Sequence, residues 1–341
     1  MTATPLLSDL TTRAKAKAHS RTHPHPCPCP CPCGADTLTD RPDGTVVRHA
    51  DTVAKAHAPD TTPTELTARL ALAARLPGIL LPPLSPTPVD LHGRLVTFWP
   101  YGAPVDPEDP DAAPWEEAAT LLARLHRTPA PPGLPPMRGP AKAARAIARL
   151  RATTPQTLQP ATEPVLRAWA ALPAWARGQT PAPGTPDPGT PAPGTPDPHP
   201  DDGPALTTLC HGDLHLGQLV RHPAPDGPWL LIDVDDLGVG APAWDLARPA
   251  AWYACGLLPP DEWTRFLAAY RTAGGPAVPA DGDPWPALDV AARALTVQTA
   301  ALAIVKATAA DRPLDEVQQA VVDACARMGS VPPELTQGHA K

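Results

Sequence analysis

The sequence predicts an α+β fold in two lobes, a small β-rich N-terminal one and a larger, mainly helical C-terminal one. Three observations predict it. Between about 36 and 101, short apolar runs are broken by turn signals. From 115 onward, apolar residues recur at helical spacing. Two strand-like runs, 208–220 and 228–240, interrupt the helical part and carry closely spaced acids and histidines.

The elements follow in order. Residues 1–33 read as a disordered Cys/Pro-rich tail, polar and basic at first and ending in HPHPCPCPCPC. Proline at every second position there removes backbone donors and forbids a helix. Cys27, Cys29, Cys31 and Cys33 are spaced by two, not in the Cys-x₂₋₄-Cys manner of zinc sites. Residues 34–102 form the N-lobe. TVVRHADTVAKAHA (45–58) reads as a hairpin about His49, Ala50 and Asp51. TPTELTARLALAARL (62–76) reads as a helix, with Thr62 as N-cap, Pro63 at N1 and Glu65 at N3. RLVTFWPYG (94–102) reads as a further strand.

The C-lobe is assigned 103–341. Helices are predicted over 115–127, 141–152 and 163–177, then from APAWDLARPAAWYACG, PDEWTRFLAAYRTAG and the apolar run 287–310. A Pro-rich stretch with an internal ten-residue repeat, taken as a disordered loop over 178–205, has nothing to bury and predicts a polyproline-like surface loop.

Composition narrows the function. The chain has 341 residues and a net charge of −7, which weighs against nucleic acid or an anionic membrane as partner. Aromatic residues are only 4%, so Leu, Val, Ile and Ala must fill the core. The N-terminus lacks an apolar signal-peptide core, and no uninterrupted apolar run of membrane-spanning length is evident. With seven cysteines, an odd number, the expectation is a cytoplasmic protein with reduced thiols. Lysine occurs at six positions and asparagine at none.

The chemistry-bearing stretch is CHGDLHLGQLV (210–220). His211, Asp213 and His215 alternate, so on a strand they would share one face as a metal trio. A zinc site wants further ligands, and His222 is the nearby candidate. The other reading adds Asp233, which ends the apolar run WLLI, 20 residues after Asp213. An acid at the end of a buried strand is costly unless satisfied, and a divalent cation would satisfy it. Phosphoryl transfer needs an acid for the hydroxyl proton, oxygen ligands for Mg²⁺ and a cation for the phosphates. Asp213, Gln218 and Asp233 match those parts.

HGDLHLGQLV…LLIDVDDLGVGAPAWDLA resembles the aminoglycoside phosphotransferase family of small-molecule kinases, whose pattern is roughly HGDxHxxN, a strand ending in IDF/W, then GDPxxDLA. LLARLH (121–126) is similar to the family's helix before the catalytic region. The resemblance runs in order from 36 to 310, and its specific part is 208–247. It implies a bilobal protein-kinase-like fold and ATP- and Mg²⁺-dependent transfer to a small hydroxyl-bearing substrate. It also implies roles. Asp213 would be the catalytic base, Asp233 the main Mg²⁺ ligand and Gln218 a second one, where the family has asparagine. Lys55 would pair the α and β phosphates, Glu65 would be its helix partner, and Phe98, Trp99 and Tyr101 would line the adenine slot. Asp245 would support the catalytic loop, with His211 and His215 in supporting roles. Asp235 and Asp236 would sit near a cleft mouth. Helices over 141–177 would help wall the acceptor pocket.

Alternatives stand beside these roles. Lys55 could be a strand lysine reaching for solvent, and Glu65 could close a capping box. Cys210 reads as a buried small apolar residue. The sequence departs from the family at Ala241, where GDP places an acid, and in lacking a GxGxxG loop; only Asp43-Gly44 marks that turn. The HGDxHLGQ form is similar to that of maltose-phosphorylating relatives. A nucleotide-binding pseudokinase of the same fold is the alternative function. The oligomeric state is not read from the sequence.

Overall fold

The computed structural model describes residues 5–22, 34–153, 159–179 and 208–328. The Cys-Pro tract and the repeat-bearing loop lie outside the described residues. Two compact units form. One comprises 1–121, 131–135 and 216–235, the other 122–130, 136–215 and 236–341. The chain thus changes unit between His215 and Leu216 and again between Asp235 and Asp236.

The first unit is built on a five-stranded antiparallel sheet. Its strands are β1 (Asp36–Arg41), β2 (Gly44–His49), β3 (Thr52–Ala56), β4 (Val89–Leu91) and β5 (Arg94–Pro100), in the order β1-β2-β3-β5-β4. The expected hairpin is β2–β3, and its turn places Ala50 at φ +52. Side chains alternate between faces with period two. Val47, Ala54, Ala56, Val96 and Phe98 are buried on one face. Val46, Val53, Lys55, Trp99 and, beyond β3, His57 line a cavity on the other. A second, three-stranded sheet joins β6 (Ala103–Pro104), β8 (Leu219–Arg221) and β9 (Trp229–Leu231). The edge of β9 is extended by Ile79–Leu81, since Leu231 donates to Ile79 O and Leu81 donates to Leu231 O, both at 2.9 Å.

The N-terminal tail is a correction. Residues 5–22 form a helix, α1 (Pro5–Thr22). It buries Leu10, Ala14 and Ala18 at i, i+4 spacing. Leu10 and Ala14 pack on the apolar sheet face with Val47, Ala54 and Phe98. Arg21 reaches Asp51 at 3.2 Å and Asp9 reaches His92 at 2.8 Å. The net basic composition of the segment concealed its narrow apolar stripe, which is stable only because a sheet face receives it. The next helix, α2 (Pro63–Arg75), starts with Thr62 as N-cap and Pro63 at N1, but the Thr62 side chain makes no capping bond.

In the second unit, β7 (Thr208–Cys210) pairs antiparallel with β10 (Gly238–Gly240). The boundary between units falls within α3 (Trp115–His126). The remaining helices are α4 (Gly139–Ala152), α5 (Gln159–Ala170), α6 (Ala243–Ala254), α7 (Pro260–Thr272), α8 (Trp285–Ala309) and α9 (Glu316–Met328). The last of these was not anticipated from the sequence; it buries Val321, Val322, Ala324 and Cys325. By length and hydropathy α8 could cross a membrane, yet 67% of its apolar window is buried in the protein. It packs against α4, α5, α6 and α9 through Ala291, Ala294, Val297, Ala301 and Ile304, so it is the core helix of this unit. Small alanine faces fill the core here, as the low aromatic content requires. Trp169 and Trp244 join this core, while Tyr253, Trp263 and Trp285 group together with ring centroids 5.6–6.3 Å apart.

Candidate active site

The first unit holds a cavity of ≈260 Å³ on the sheet face opposite α1. Its walls are largely apolar, from Leu38, Val46, Val53, Leu81 and Val220. Its polar groups come from Lys55, Gln218 and Asp233, with Trp99 and Tyr101 beside them. In place of a glycine-rich loop, a two-residue turn, Pro42-Asp43, joins β1 to β2, and the half-exposed Leu38 of β1 is among the residues lining the cavity.

Each polar group is placed by a strand. Lys55 lies on β3, facing the cavity. Its ammonium is 2.7 Å from Asp233 and 2.9 Å from Asp235. Burial would lower its pKa, but the two carboxylates outweigh this and hold it raised. Asp233 lies two residues past β9 with φ +64, a left-handed backbone that is uncommon outside glycine. Such strain persists where the surroundings enforce it and clusters at functional sites. Gln218 ends a 3₁₀ turn (Leu216–Gln218) and leads into β8, and its carbonyl accepts from Ile232 at 2.9 Å. Gln218 and Asp233 are thereby fixed at neighbouring ends of the paired strands β8 and β9.

Two implied roles fail here. Phe98 is not a cavity residue. It pairs with Ala54 across the sheet, and period two turns both side chains to the α1 face. The Lys17 ammonium lies 5.9 Å from the Phe98 ring centroid on that side. Glu65 is not the partner of Lys55. It pairs with Arg69 one turn along α2, at 3.3 Å, and does not close a capping box. Lys55 has its carboxylates on the segment after β9 instead.

In the second unit the HGD stretch is a loop, not a strand, because Gly212 takes φ +86. A Cβ at Gly212 would collide with the Asp236 carbonyl, so glycine is required on both counts. The shared strand face needed for a His211-Asp213-His215 metal trio therefore does not form. His211 is fully buried, whereas Asp213 and His215 are half-buried.

Asp213 is gripped by two cations. Lys142 from α4 approaches Oδ2 at 2.8 Å, and Arg248 from α6 donates to Oδ1 at 2.8 Å. Arg248 also donates to Leu214 O at 2.9 Å. Burial alone would raise the pKa of Asp213; Lys142 and Arg248, with a smaller contribution from His215, lower it from 3.8 to about 2. Asp236 takes the same Lys142 ammonium at 2.6 Å, with Arg138 at 3.8 Å. Asp235 and Asp236, which fall in different units, are thus both ion-paired.

The depressed pKa has a sign. Ionised Asp213 stabilises the fold above its unfolded pKa, and that contribution disappears as pH falls through about 2. Its full value is on the order of 2 kcal/mol. Urea titrations between pH 5 and 2 should show wild type losing that stability while Asp213→Asn, already lacking it, loses less.

Asp245, in the first turn of α6, is completely buried. It accepts from the backbone N–H of His211 at 2.6 Å and of Gly212 at 2.7 Å, and from His126 Nε2 at 2.9 Å. His126 Nδ1 lies 2.7 Å from the Tyr270 hydroxyl, which accepts from Ala277 N–H at 3.0 Å. Burial would raise the Asp245 pKa, but these donors and the nearby histidines hold it lowered. Cys210 adjoins the cluster; burial pushes its thiol well up, in keeping with an inert core residue. At the departure from the family pattern, the turn before α6 closes without an acid, because Trp244 N–H donates to Ala241 O at 3.0 Å.

Sequence reasoning missed Lys142, Arg248, His57 and the buried role of His126. Signals existed for some. Lys142 is one of six lysines, Arg248 follows Asp245 by three residues on one helix face, and His126 ends LLARLH.

The model of the phosphotransferase enzyme family matches residues 37–288, most of the chain. Among solved structures, a choline/ethanolamine kinase family protein from Mesorhizobium loti is similar with a TM-score of 0.54 at 19% identity, covering 96% of this chain and 97% of that one. Choline kinase LicA from Streptococcus pneumoniae is similar at 0.54 and 12%, covering 87% and 93%. A thermostable mutant of aminoglycoside phosphotransferase APH(4)-Ia, in a ternary complex with AMP-PNP and hygromycin B, is similar at 0.51 and 13%, covering 87% and 94%. No curated protein matches the sequence. The HGD loop, the strand-end acid and the buried aspartate of α6 thus stand on a protein-kinase-like fold, and the chain belongs to the phosphotransferase enzyme family.

Proposed function

We propose that this phosphotransferase moves the γ-phosphoryl group of ATP to a hydroxyl of a small molecule, with Mg²⁺. The observation that carries the reading is the convergence of Lys55, Asp233 and Gln218 on one apolar-walled cavity of the first unit. The donor set fits the metal, because a carboxylate and an amide oxygen are the hard oxygen ligands Mg²⁺ prefers. When bound, the ion neutralises charge on the phosphate oxygens.

In this reading Lys55 offsets phosphate charge, and Asp233 and Gln218 hold the metal. Trp99 and Tyr101 flank the base. Asp213 orients the acceptor hydroxyl and takes its proton as the new P–O bond forms and the bond to the departing ADP breaks. A carboxylate with a pKa of about 2 is a weak base, so orientation comes first and proton transfer late. Lys142 and Arg248 occupy one site on each oxygen of Asp213, and a carboxylate offers about four. Room for the hydroxyl therefore remains. The placement of Lys142 against Asp213 supports α4 as part of the acceptor-side wall.

ADP release with Mg-ATP across aminoglycosides, sugars, amino alcohols, hydroxy amino acids and macrolides tests the proposal. Acceptor-dependent turnover supports it. Nucleotide binding without turnover on any acceptor would favour the pseudokinase. Position 218 gives a finer check. Gln218→Asn should retain activity, since both amides offer the same oxygen. Gln218→Ala should lose about tenfold or more and need more Mg²⁺ for half-maximal rate. An Ala variant with wild-type magnesium dependence would remove 218 from the ligand set.

A further inference from the structure

In the related fold, the lysine that meets the nucleotide phosphates is expected to be steadied by a helix carboxylate. In this chain the helix candidate, Glu65, is engaged with Arg69. Lys55 is held by Asp233 at 2.7 Å and Asp235 at 2.9 Å. If Asp233 is committed to a divalent cation, as the proposed function has it, Asp235 is the carboxylate left to position Lys55.

Asp235 is built for that task. One of its oxygens faces Lys55, and the other lies 2.7 Å from His57 Nδ1. Its backbone N–H donates to Asp233 Oδ1 at 3.2 Å, which ties the two acids into one turn. His57 follows Lys55 by two residues and so shares its side of the chain. The ring is almost fully buried, with Nε2 at 2.8 Å from the Thr97 hydroxyl. The Trp99 indole N–H donates to that same hydroxyl oxygen at 2.8 Å. An indole can only donate. Ionised Asp235 can only accept, so His57 Nδ1–H donates to it, and the Thr97 oxygen that accepts from Trp99 lies at the other ring nitrogen, Nε2. Every group in the row has a partner, and the row runs from the cavity wall at Trp99 to the ammonium of Lys55.

We propose that Asp235, held by the His57–Thr97–Trp99 row, is the positioning carboxylate for Lys55 and replaces the helix glutamate in that role. The substitution is local. It moves the anchor of the phosphate-binding lysine from α2 to the segment that also carries the proposed metal ligand. It rests on the kinase reading, because it concerns how that site holds ATP.

The experiment measures AMP-PNP binding by calorimetry on the full chain, together with KM for ATP and kcat. Asp235→Asn is near-isosteric at a partly exposed position. It should weaken AMP-PNP binding about tenfold or more, the worth of one charge-assisted hydrogen bond. KM for ATP should rise in step while kcat stays within about threefold, since the lost contact acts on ground state and transition state alike. His57→Gln should move both quantities the same way by a smaller factor. Glu65→Gln should leave the AMP-PNP affinity within about twofold, as expected of a surface ion pair. Comparable weakening by Glu65→Gln would overturn the proposal. So would an Asp235→Asn protein that binds AMP-PNP normally but turns over slowly. If wild type binds no AMP-PNP with or without Mg²⁺, the kinase reading itself fails, an outcome separate from both.

Discussion

Asp213→Asn is expected to lower kcat for phosphotransfer by about 10²–10⁴-fold, the usual worth of a positioned acid–base group. AMP-PNP affinity should change little, because Asp213 is not among the residues lining the cavity of the first unit, where the nucleotide is proposed to bind. The substitution keeps the shape of the side chain but removes its charge. Lys142 and Arg248, each 2.8 Å from an Asp213 oxygen, then lose their common counter-ion. Asp236 remains for Lys142 at 2.6 Å, so the loop should stay folded while Arg248 loses most. The check is ADP release under saturating Mg-ATP with whichever acceptor the panel identifies. Equal turnover by wild type and Asp213→Asn would mean that the chemistry does not pass through this carboxylate.

The second large effect is on stability. Asp245→Ala should destabilise the protein by about 3–5 kcal/mol, since it leaves three buried donors unsatisfied at about 1–3 kcal/mol each. The reason is the donors left behind. The N–H groups of His211 and Gly212 and the ring of His126 all point at the lost oxygens, and all three residues are buried. Asp245→Asn should cost less, since one carbonyl oxygen remains to accept. Urea unfolding at neutral pH measures both. Asp245→Ala should also lower activity, because the two amides it anchors begin the loop that presents Asp213. A variant as stable as wild type would show that the network adds little.

Much of the fold was legible because periodicity is local. The β2–β3 hairpin, α2, α3 and the helices of the second unit follow from alternation, helical spacing and Pro63 at N1, each confined to a few neighbouring residues. The segments misread or passed over were those whose stability is borrowed. α1 has a narrow stripe of Leu10, Ala14 and Ala18 in a basic segment, and it is a helix because β2 and β3 offer it a face. α9 likewise depends on α5 and α8.

Of the acids of the candidate site, Asp213 and Asp233 were legible from residue type and spacing, and Asp245 from the family resemblance. HGD, the acid after WLLI and the aspartate of AWDLA stand at fixed distances along the chain. Their partners were not, because an ion pair leaves no trace in local pattern. Phe98 and Trp99 are adjacent and both aromatic, and only the register of β5 on β3 decides that Trp99 faces the cavity and Phe98 faces α1. Glu65 and Asp235 are both plausible carboxylates for Lys55, and the choice depends on where α2 and the segment after β9 settle.

By itself, then, the sequence determined the α+β class, the membership in a phosphotransferase family and the identity of the acids at issue. The tertiary structure decided which cation meets which carboxylate: Lys142 and Arg248 on Asp213, Lys55 on Asp233 and Asp235. The physical reason is range. Backbone preference and amphipathic spacing act over a few residues, whereas a buried charge is satisfied by whatever group packing brings to it, as Lys55 is by Asp233, 178 positions away.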